Sequence, residues 1–481
     1  MPLVRLSLLI VAVGSLLSCQ SAPQAPEHAG LLVLHNLNLV DVEQGKLQAN
    51  QLVVVQQDRI VAIAPEQDLA KYPDATQIDA GGQYLIPGLW DMHVHFEGRD
   101  LVEDNALLLP VYLAYGITGV REAASNLAPV VLSWRQQVDQ GRLLGPKIFT
   151  AGQKFEGIDS LWDGDLEVGT EQQMRDGMDK LQHMQVDFIK ITENTLQPDL
   201  YLATIREARR RGFLVSSHVP YGTSIGELSD AGLSSIEHAS YLLRLGFADE
   251  GQTAAAVRAG QLTIQQAADH YKTGFDQQLA IKGYQQLAAQ HVAVTPTLIG
   301  GRQLAHLHDT DHSHDQFLQY LTKDFTASYQ WRIDRMKGET AEQQQQRKDK
   351  EQLIAAQLPY LWQAGVTLLA GSDSAALNTY VYPAQALHDE LELFQQAGLT
   401  PAQILQTATI NGARFMRQDQ DYGSIAVGKK AELVLLHDNP LQNISATRQV
   451  QALLYKGQWY DKSQLEQLLQ KAAARKQQLE H

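Results

Sequence analysis

Cysteine is nearly missing from this chain: one, Cys19, in 481 residues. A single thiol excludes an intrachain disulfide, a cysteine-based zinc site and an iron–sulfur cluster. Positive charge is also in deficit. Lys plus Arg number 39 against 54 Asp plus Glu, a formal charge of −15. That excludes a broadly basic surface, so no nucleic-acid partner is expected. Long apolar runs are lacking too. The longest, Leu6–Leu17, has about 12 residues where a membrane-spanning helix needs roughly 20. What remains is a 44% hydrophobic, 19% charged composition that fits a globular core, with sixteen histidines as candidate metal ligands.

The Leu6–Leu17 run follows Arg5 and has the size of a secretion-signal core. It ends in Leu16-Leu17-Ser18-Cys19, which resembles the bacterial lipobox. Residues 1–18 then read as a lipoprotein signal, with Cys19 receiving the lipid after cleavage. Gln20 after the cysteine leans toward outer-membrane sorting, so an exported, lipid-anchored protein facing the periplasm is expected. An ordinary cleaved signal is the alternative. Residues 19–30 are small and polar, with Pro23 and Pro26, and read as a tether.

From Leu31 to Pro87 short β-like runs alternate with turn signals, and Ala431–His437 and Gln451–Lys456 share that character. Between these flanks apolar strands alternate with longer helical stretches, the mark of βα units and a parallel sheet. Eight strands are predicted: Leu89–His95, Gly116–Ala123, Lys147–Ala151, Phe188–Ile191, Phe213–Val219, Ser234–Ala239, Val292–Leu298 and Thr367–Asp373. The expected fold is α/β, a (β/α)8 barrel over 89–417 with a small β-sandwich from 31–88 plus 418–460. The connections after the sixth and seventh predicted strands are long, about 50 and 70 residues, and are candidate lid or specificity insertions. The Gln-rich stretch Glu339–Gln357 reads as an exposed helix. The tail, 461–481, has helical spacing of Leu465, Leu468, Leu469 and Ala473; it could pack on its own barrel or on a partner copy.

Asp91-Met92-His93-Val94-His95 closes the first strand. Alternation puts His93 and His95 on one side, a spacing that suits two ligands of one metal. Lys190 lies near the end of the fourth strand, His218 ends the fifth, His238 the sixth and Asp373 the eighth. All six fall on the rim where barrel enzymes place their chemistry. A ligand set of imidazole and carboxylate without thiolate suits Zn²⁺ best, with Mn²⁺, Co²⁺ or Fe²⁺ as alternatives.

This set resembles the amidohydrolase superfamily, in its binuclear subtype with a carboxylated lysine. Tyr84–His95 is similar to that family's first-strand motif and Gly423–Val434 to its return into the sandwich. Ser235–Ala239 and Thr295–Leu298 are similar to the imidazolonepropionase-like branch that includes Xaa-Pro dipeptidases. The resemblance implies that His93, His95 and Asp373 hold one divalent metal, that His218 and His238 hold a second, and that a carbamate on Lys190 bridges them. A protonated ammonium would repel both cations, whereas burial lowers the lysine pKa and the neutral amine can add carbon dioxide. A bridging water would then act as nucleophile near neutral pH, with Asp373 as general base and then general acid. The implied reaction is hydrolysis of an amide or peptide bond in a small molecule, such as a dipeptide ending in Pro or a basic residue. Lactones, esters, organophosphates and cyclic amides suit the same ligands, and a non-catalytic metal-binding protein is the remote alternative.

Tyr241 and Tyr221 are candidates to offer a hydroxyl to an oxyanion or a substrate carboxylate. Arg121 is a candidate partner for a substrate carboxylate, or for an internal ion pair with Glu122 or Asp91. Asp91 could orient His93. The stretch His306–Asp315, with four histidines, reads as a solvated polar loop.

Overall fold

The computed structural model describes residues 30–481. The expected signal, Cys19 and all but the last residue of the tether lie outside the described residues. Among the described residues no helix is long and apolar enough to cross a membrane.

The N-terminal flank forms five strands: β1 (Leu31–Asp41), β2 (Lys46–Gln56), β3 (Arg59–Pro65), β4 (Thr76–Asp79) and β5 (Tyr84–Pro87). The barrel contributes β6 (Leu89–Val94), β7 (Ile117–Glu122) and β8 (Lys147–Thr150). A two-residue pair follows, β9 (Phe155–Glu156) and β10 (Leu166–Glu167). Then come β11 (Phe188–Ile191), β12 (Leu214–Ser217), β13 (Ser235–Glu237) and β14 (Ala293–Thr295). The C-terminal flank returns as β15 (Leu433–Leu436), β16 (Val450–Tyr455) and β17 (Gln458–Tyr460).

Both flanks belong to one mixed eight-stranded sheet, ordered β17-β16-β15-β5-β1-β2-β3 with β4 on β1. Its core draws Leu34, Val53 and Ile60 from one end of the chain and Leu433, Leu435 and Leu454 from the other. Each such fully buried side chain contributes about 1.5–3 kcal/mol relative to exposure.

β6, β7 and β8 pair in parallel, as do β11 to β14. The amide of Asp187 donates to the Thr150 carbonyl (2.9 Å), which joins β8 to β11. The predicted eighth strand, Thr367–Asp373, differs from expectation: only Leu368 and Ser374 form isolated parallel bridges, to Val294 and Val94. It still closes the barrel, since Leu369 donates to Val294 (2.9 Å) and Asp373 to His93 (2.7 Å). Gly371 explains how this segment fits. A Cβ there would lie 2.5 Å from Thr295 Cγ2 and 2.9 Å from His93 Cβ, so only glycine lets it pass.

The long connections carry helices. After β13 come Glu250–Arg258, Ile264–His270 and Gln277–Ala289; after β14 come Leu298–Ala305, Lys323–Ala327, Gln330–Met336 and Ala341–Ala355. The tail is a helix, Lys462–Leu479, whose Asp461 forms a capping box with Gln464. Leu465 and Ala472 pack into the barrel's own outer core. The sequence allowed either that or a partner copy.

His388 fastens helix Gln385–Gln396 to both layers. Its Nε2 donates to the Tyr115 carbonyl (3.0 Å), and Nδ1 lies 2.9 Å from the Thr447 hydroxyl. Burial pushes its pKa down to about 3. In the unfolded chain it titrates near the ordinary histidine value, so between those pH values the unfolded state binds the extra proton. His388 therefore contributes stability that is present above about pH 6.5 and lost as pH falls toward 3. The expected result is that His388→Gln, compared with wild type by urea midpoint, shows a shallower loss between pH 6.5 and 5. Parallel curves would refute the assignment.

Candidate metal centre

The C-terminal ends of the barrel strands bring five of the six predicted ligand groups into direct contact. His93 Nε2 lies 3.2 Å from His95 Nε2, and Asp373 Oδ1 is 3.3 Å from both nitrogens. His218 Nε2 lies 3.1 Å from His238 Nε2. The His93 and His238 rings, 5.2 Å apart, connect the two pairs.

All four imidazoles are oriented the same way. His93 Nδ1 faces Glu237 Oε2 (2.8 Å), and His95 Nδ1 faces the Ala124 carbonyl (2.8 Å). His218 Nδ1 faces Glu193 Oε2 (2.5 Å), and His238 Nδ1 faces Thr297 Oγ1 (2.6 Å). The Thr297 hydroxyl donates to the Pro296 carbonyl (2.8 Å), so it accepts from His238. Each Nδ1 is thus the donor, and each neutral ring turns its Nε2 lone pair inward. Four lone pairs and a carboxylate converging at such distances repel one another unless cations lie among them. The donor set therefore fits divalent metal, with nitrogen and oxygen ligands of the kind Zn²⁺ takes.

Lys190 is the sixth group. It is 1% exposed, and its Nζ is buried with no hydrogen-bond partner. Burial, partly opposed by Glu237, lowers its pKa to about 8. A buried ammonium without partners is unstable, so the geometry favours the neutral amine. Burial alone would raise Asp373; positive charge on the surrounding groups, on His93 foremost were it protonated, would hold its carboxyl well below the usual range, as a bound cation would.

The backbone is strained where it presents these groups. Ala124, His238, Thr297 and Asp373 all have positive φ, at 98°, 71°, 48° and 56°. Each sits just past a barrel strand and supplies a ligand or the group that orients one.

Beneath the ligands lies a buried ion pair, Arg121 with Glu237, whose acidic partner the sequence reading did not name. Glu237 accepts from Ser216 Oγ and Ser235 Oγ (2.6 Å each) and from Arg121 Nη2 (2.7 Å), and it orients His93. Burial would raise the Glu237 carboxyl, but Arg121 holds it well below the usual value. Arg121 also donates to the Met92 carbonyl (2.6 Å) and Thr295 Oγ1 (3.0 Å). It is 0% exposed, so it does not meet a substrate, and its ion-pair partner is Glu237 where Glu122 and Asp91 were the expected ones. Asp91 does not orient the His93 ring. Its carboxylate accepts from the Ser372 amide (2.9 Å) and hydroxyl (2.6 Å), fixing the residue before Asp373.

Tyr241 borders the cavity beside His218 and His238, and its hydroxyl donates to Glu193. Tyr221 does not reach the site. It stacks on Tyr271 (6.3 Å) and covers Arg244 (5.5 Å). The histidine-rich stretch is a largely exposed loop, as expected, with one exception: His312 is 9% exposed, stacks on Tyr380 at 3.9 Å and bonds Asp315 (2.7 Å). Alternation sets Glu237 opposite His238 and so away from the ligands; the positive φ at His238 (71°) breaks that alternation, and Glu237 was therefore not legible in the sequence. Glu193 and Thr297 lie in loops, where sequence periodicity is silent.

A profile of the amidohydrolase family matches residues 305–460. The fold, a barrel beside a mixed sheet built from both flanks of the chain, is one this chain shares with solved structures. Among solved structures of the same fold, a putative prolidase from Bifidobacterium longum is 22% identical, has a TM-score of 0.64, and aligns over 92% of this chain and 98% of its own. A bottromycin amidohydrolase is 19% identical with a TM-score of 0.69 over 94% and 91%. Among curated proteins, a dihydroorotase from Carboxydothermus hydrogenoformans is 35% identical over 113 residues, 22% of this chain and 25% of that protein. An imidazolonepropionase from Paracoccus denitrificans is 41% identical over 69 residues, 13% of this chain and 17% of its own length. The chain thus spans a quarter or less of the length of the curated relatives it matches.

Proposed function

We propose that this protein is a metal-dependent hydrolase that cleaves an amide or peptide bond in a small substrate, with dipeptides as the leading class. The observation that carries this reading is the inward convergence of four Nε2 lone pairs and Asp373 beside the unpartnered, buried amine of Lys190. The matched amidohydrolase profile supports it, and so does the similarity in fold to structures described as a putative prolidase and a Xaa-Pro dipeptidase.

His93, His95 and Asp373 would hold one divalent cation, and His218 and His238 a second. When bound, such a pair polarises a carbonyl and makes water more acidic. The neutral Lys190 amine can attack carbon dioxide, forming an N–C bond and losing one proton, to leave an anionic carbamate with two oxygens. That anion would balance charge at the position where an ammonium would repel cations. Asp373 then has two tasks. Its carboxylate accepts a proton from the attacking water, and its acid form returns that proton to the leaving nitrogen. Glu193 holds both the His218 ring and the Tyr241 hydroxyl, so it fixes one wall of the cleft relative to the ligands.

The test is metal analysis paired with turnover. Protein purified without chelator is expected to hold two divalent ions per chain and to hydrolyse members of a dipeptide panel. Chelation should abolish that activity and Zn²⁺ restore it. Fewer than one metal per chain, or turnover of lactones and phosphotriesters without any amide cleavage, would sink the reading.

A further inference from the structure

Two cavities open onto the ligand cluster. One, of 360 Å³, is bounded by Tyr241, Leu298, Lys350 and Ile354. The other, of 260 Å³, is bounded by Glu97, Ser125, Lys154 and Trp162. His218, His238 and Asp373 border both, and so does Arg332. This arginine comes from Gln330–Met336, in the long connection after β14, and arches over the site from outside the barrel wall.

Arg332 is firmly placed. Its Nε donates to the Leu377 carbonyl (3.0 Å) and its Nη2 to Asn378 Oδ1. Asn378 in turn donates to the Asp373 carbonyl (2.5 Å), so the guanidinium is referenced to the catalytic loop itself. The neighbouring Trp331 meets Trp162 edge-on at 5.4 Å across the mouth. Arg335 lies over the Trp331 ring at 4.8 Å, pinning the same short helix.

Its charge meets only the face of the neighbouring Trp331 ring, 5.4 Å from the guanidinium carbon, and no paired carboxylate among the described residues. Among the described residues no carboxylate forms an ion pair with Arg332, and neither hydrogen bond uses Nη1. Burial disfavours its charge, with Asp373 and Glu97 opposing from a distance. Arginine nevertheless keeps its proton. A partly buried cation whose hydrogen bonds all go to neutral oxygens is an incomplete arrangement, which an incoming anion would complete. Lys350, on the far wall of the larger cavity, also has no acidic partner among the described residues.

We propose that Arg332 binds a substrate carboxylate, which makes the enzyme selective for small amides that carry a free carboxylate next to the scissile bond. The connection after β14 is then the specificity element. This inference rests on the amide-hydrolase reading, and the experiment separates the two. The probes are a reduced-amide Ala-Pro, in which the scissile carbonyl is a methylene, and the same compound ending in an alcohol. Each is titrated calorimetrically into metal-replete wild type, Arg332→Gln and Arg332→Lys. Wild type is expected to bind the acid about 10- to 100-fold tighter than the alcohol. Arg332→Gln should bring that ratio close to one, and Arg332→Lys should leave an intermediate ratio even if the glutamine variant does not fold. Equal binding of the two probes by wild type, or binding of neither, overturns the proposal. So does an undiminished preference in the variants, which would assign the carboxylate to the metals. A clear arginine-dependent preference in a protein that cleaves no amide would keep Arg332 as an anion site and refute the amide-hydrolase reading instead.

Discussion

Lys190→Ala is expected to lose at least about 10³-fold in kcat/KM, because a several-kcal/mol electrostatic contribution depends on that position. The residue has no structural partner to lose: its Nζ touches no hydrogen-bonding group. The variant should therefore fold, with a thermal midpoint near that of wild type when both are stripped of metal. Metal content should fall below two per chain. Acetate or propionate, supplied at high concentration, should restore part of the activity by placing two oxygens where the carbamate would lie. A variant retaining full activity would exclude a bridging role. A variant that unfolds would point to packing instead.

Arg121→Met should show the opposite pattern, a large loss of stability with chemistry following. Glu237 would keep its two serine donors and His93 but lose the guanidinium that pairs with it among the described residues. Breaking a buried pair from one side costs about 3–5 kcal/mol. The loosened His93 ring should also weaken metal binding about 10- to 100-fold. Urea unfolding of metal-free protein reads the first effect, and metal competition with a coloured chelator the second. The double variant Arg121→Met/Glu237→Gln should be less destabilised than Arg121→Met alone, since no charge is left stranded. If the double variant is worse by the sum of both changes, the pair is not coupled as described.

These two residues show where the sequence was legible. Strand ends carry their information in alternation, so His93, His95, Lys190, His218, His238 and Asp373 were placed together from spacing, and the chain-end sheet from its short β runs. Arg121 was left between a substrate role and an internal pair because a strand-end arginine looks the same whether it points up to solvent or inward. Only the packing of Phe188 and Phe415 against its guanidinium, at 5.4 and 5.3 Å, decides that. Tyr221 had the same spacing from His218 as Tyr241 has from His238. The backbone turns at His238 with positive φ, and the chain after His218 leads instead to Arg244 and Tyr271. Arg332 lay in a 70-residue connection, by rough count, where no period relates sequence to position. The eighth strand was recognised by composition, yet Gly371 and the bend at Asp373 reduce it to two bridges.

The shared sheet of the two chain ends sets an order of events during biosynthesis. β5 is held between β1 and β15, and its register on β15 runs from Tyr84–Leu436 to Pro87–Leu433. A nascent chain therefore carries an open strand edge beside Leu85 and Ile86 until more than 430 residues have emerged. The barrel meanwhile lacks the helix that covers Val102–Ala114, because Lys462–Leu479 comes far later in the chain. Contacts of such long sequence separation form slowly. An unpaired apolar edge is in the meantime a template for aggregation. Pairing of β5 with β15 is thus a late step that a barrel closed within one contiguous segment would not need.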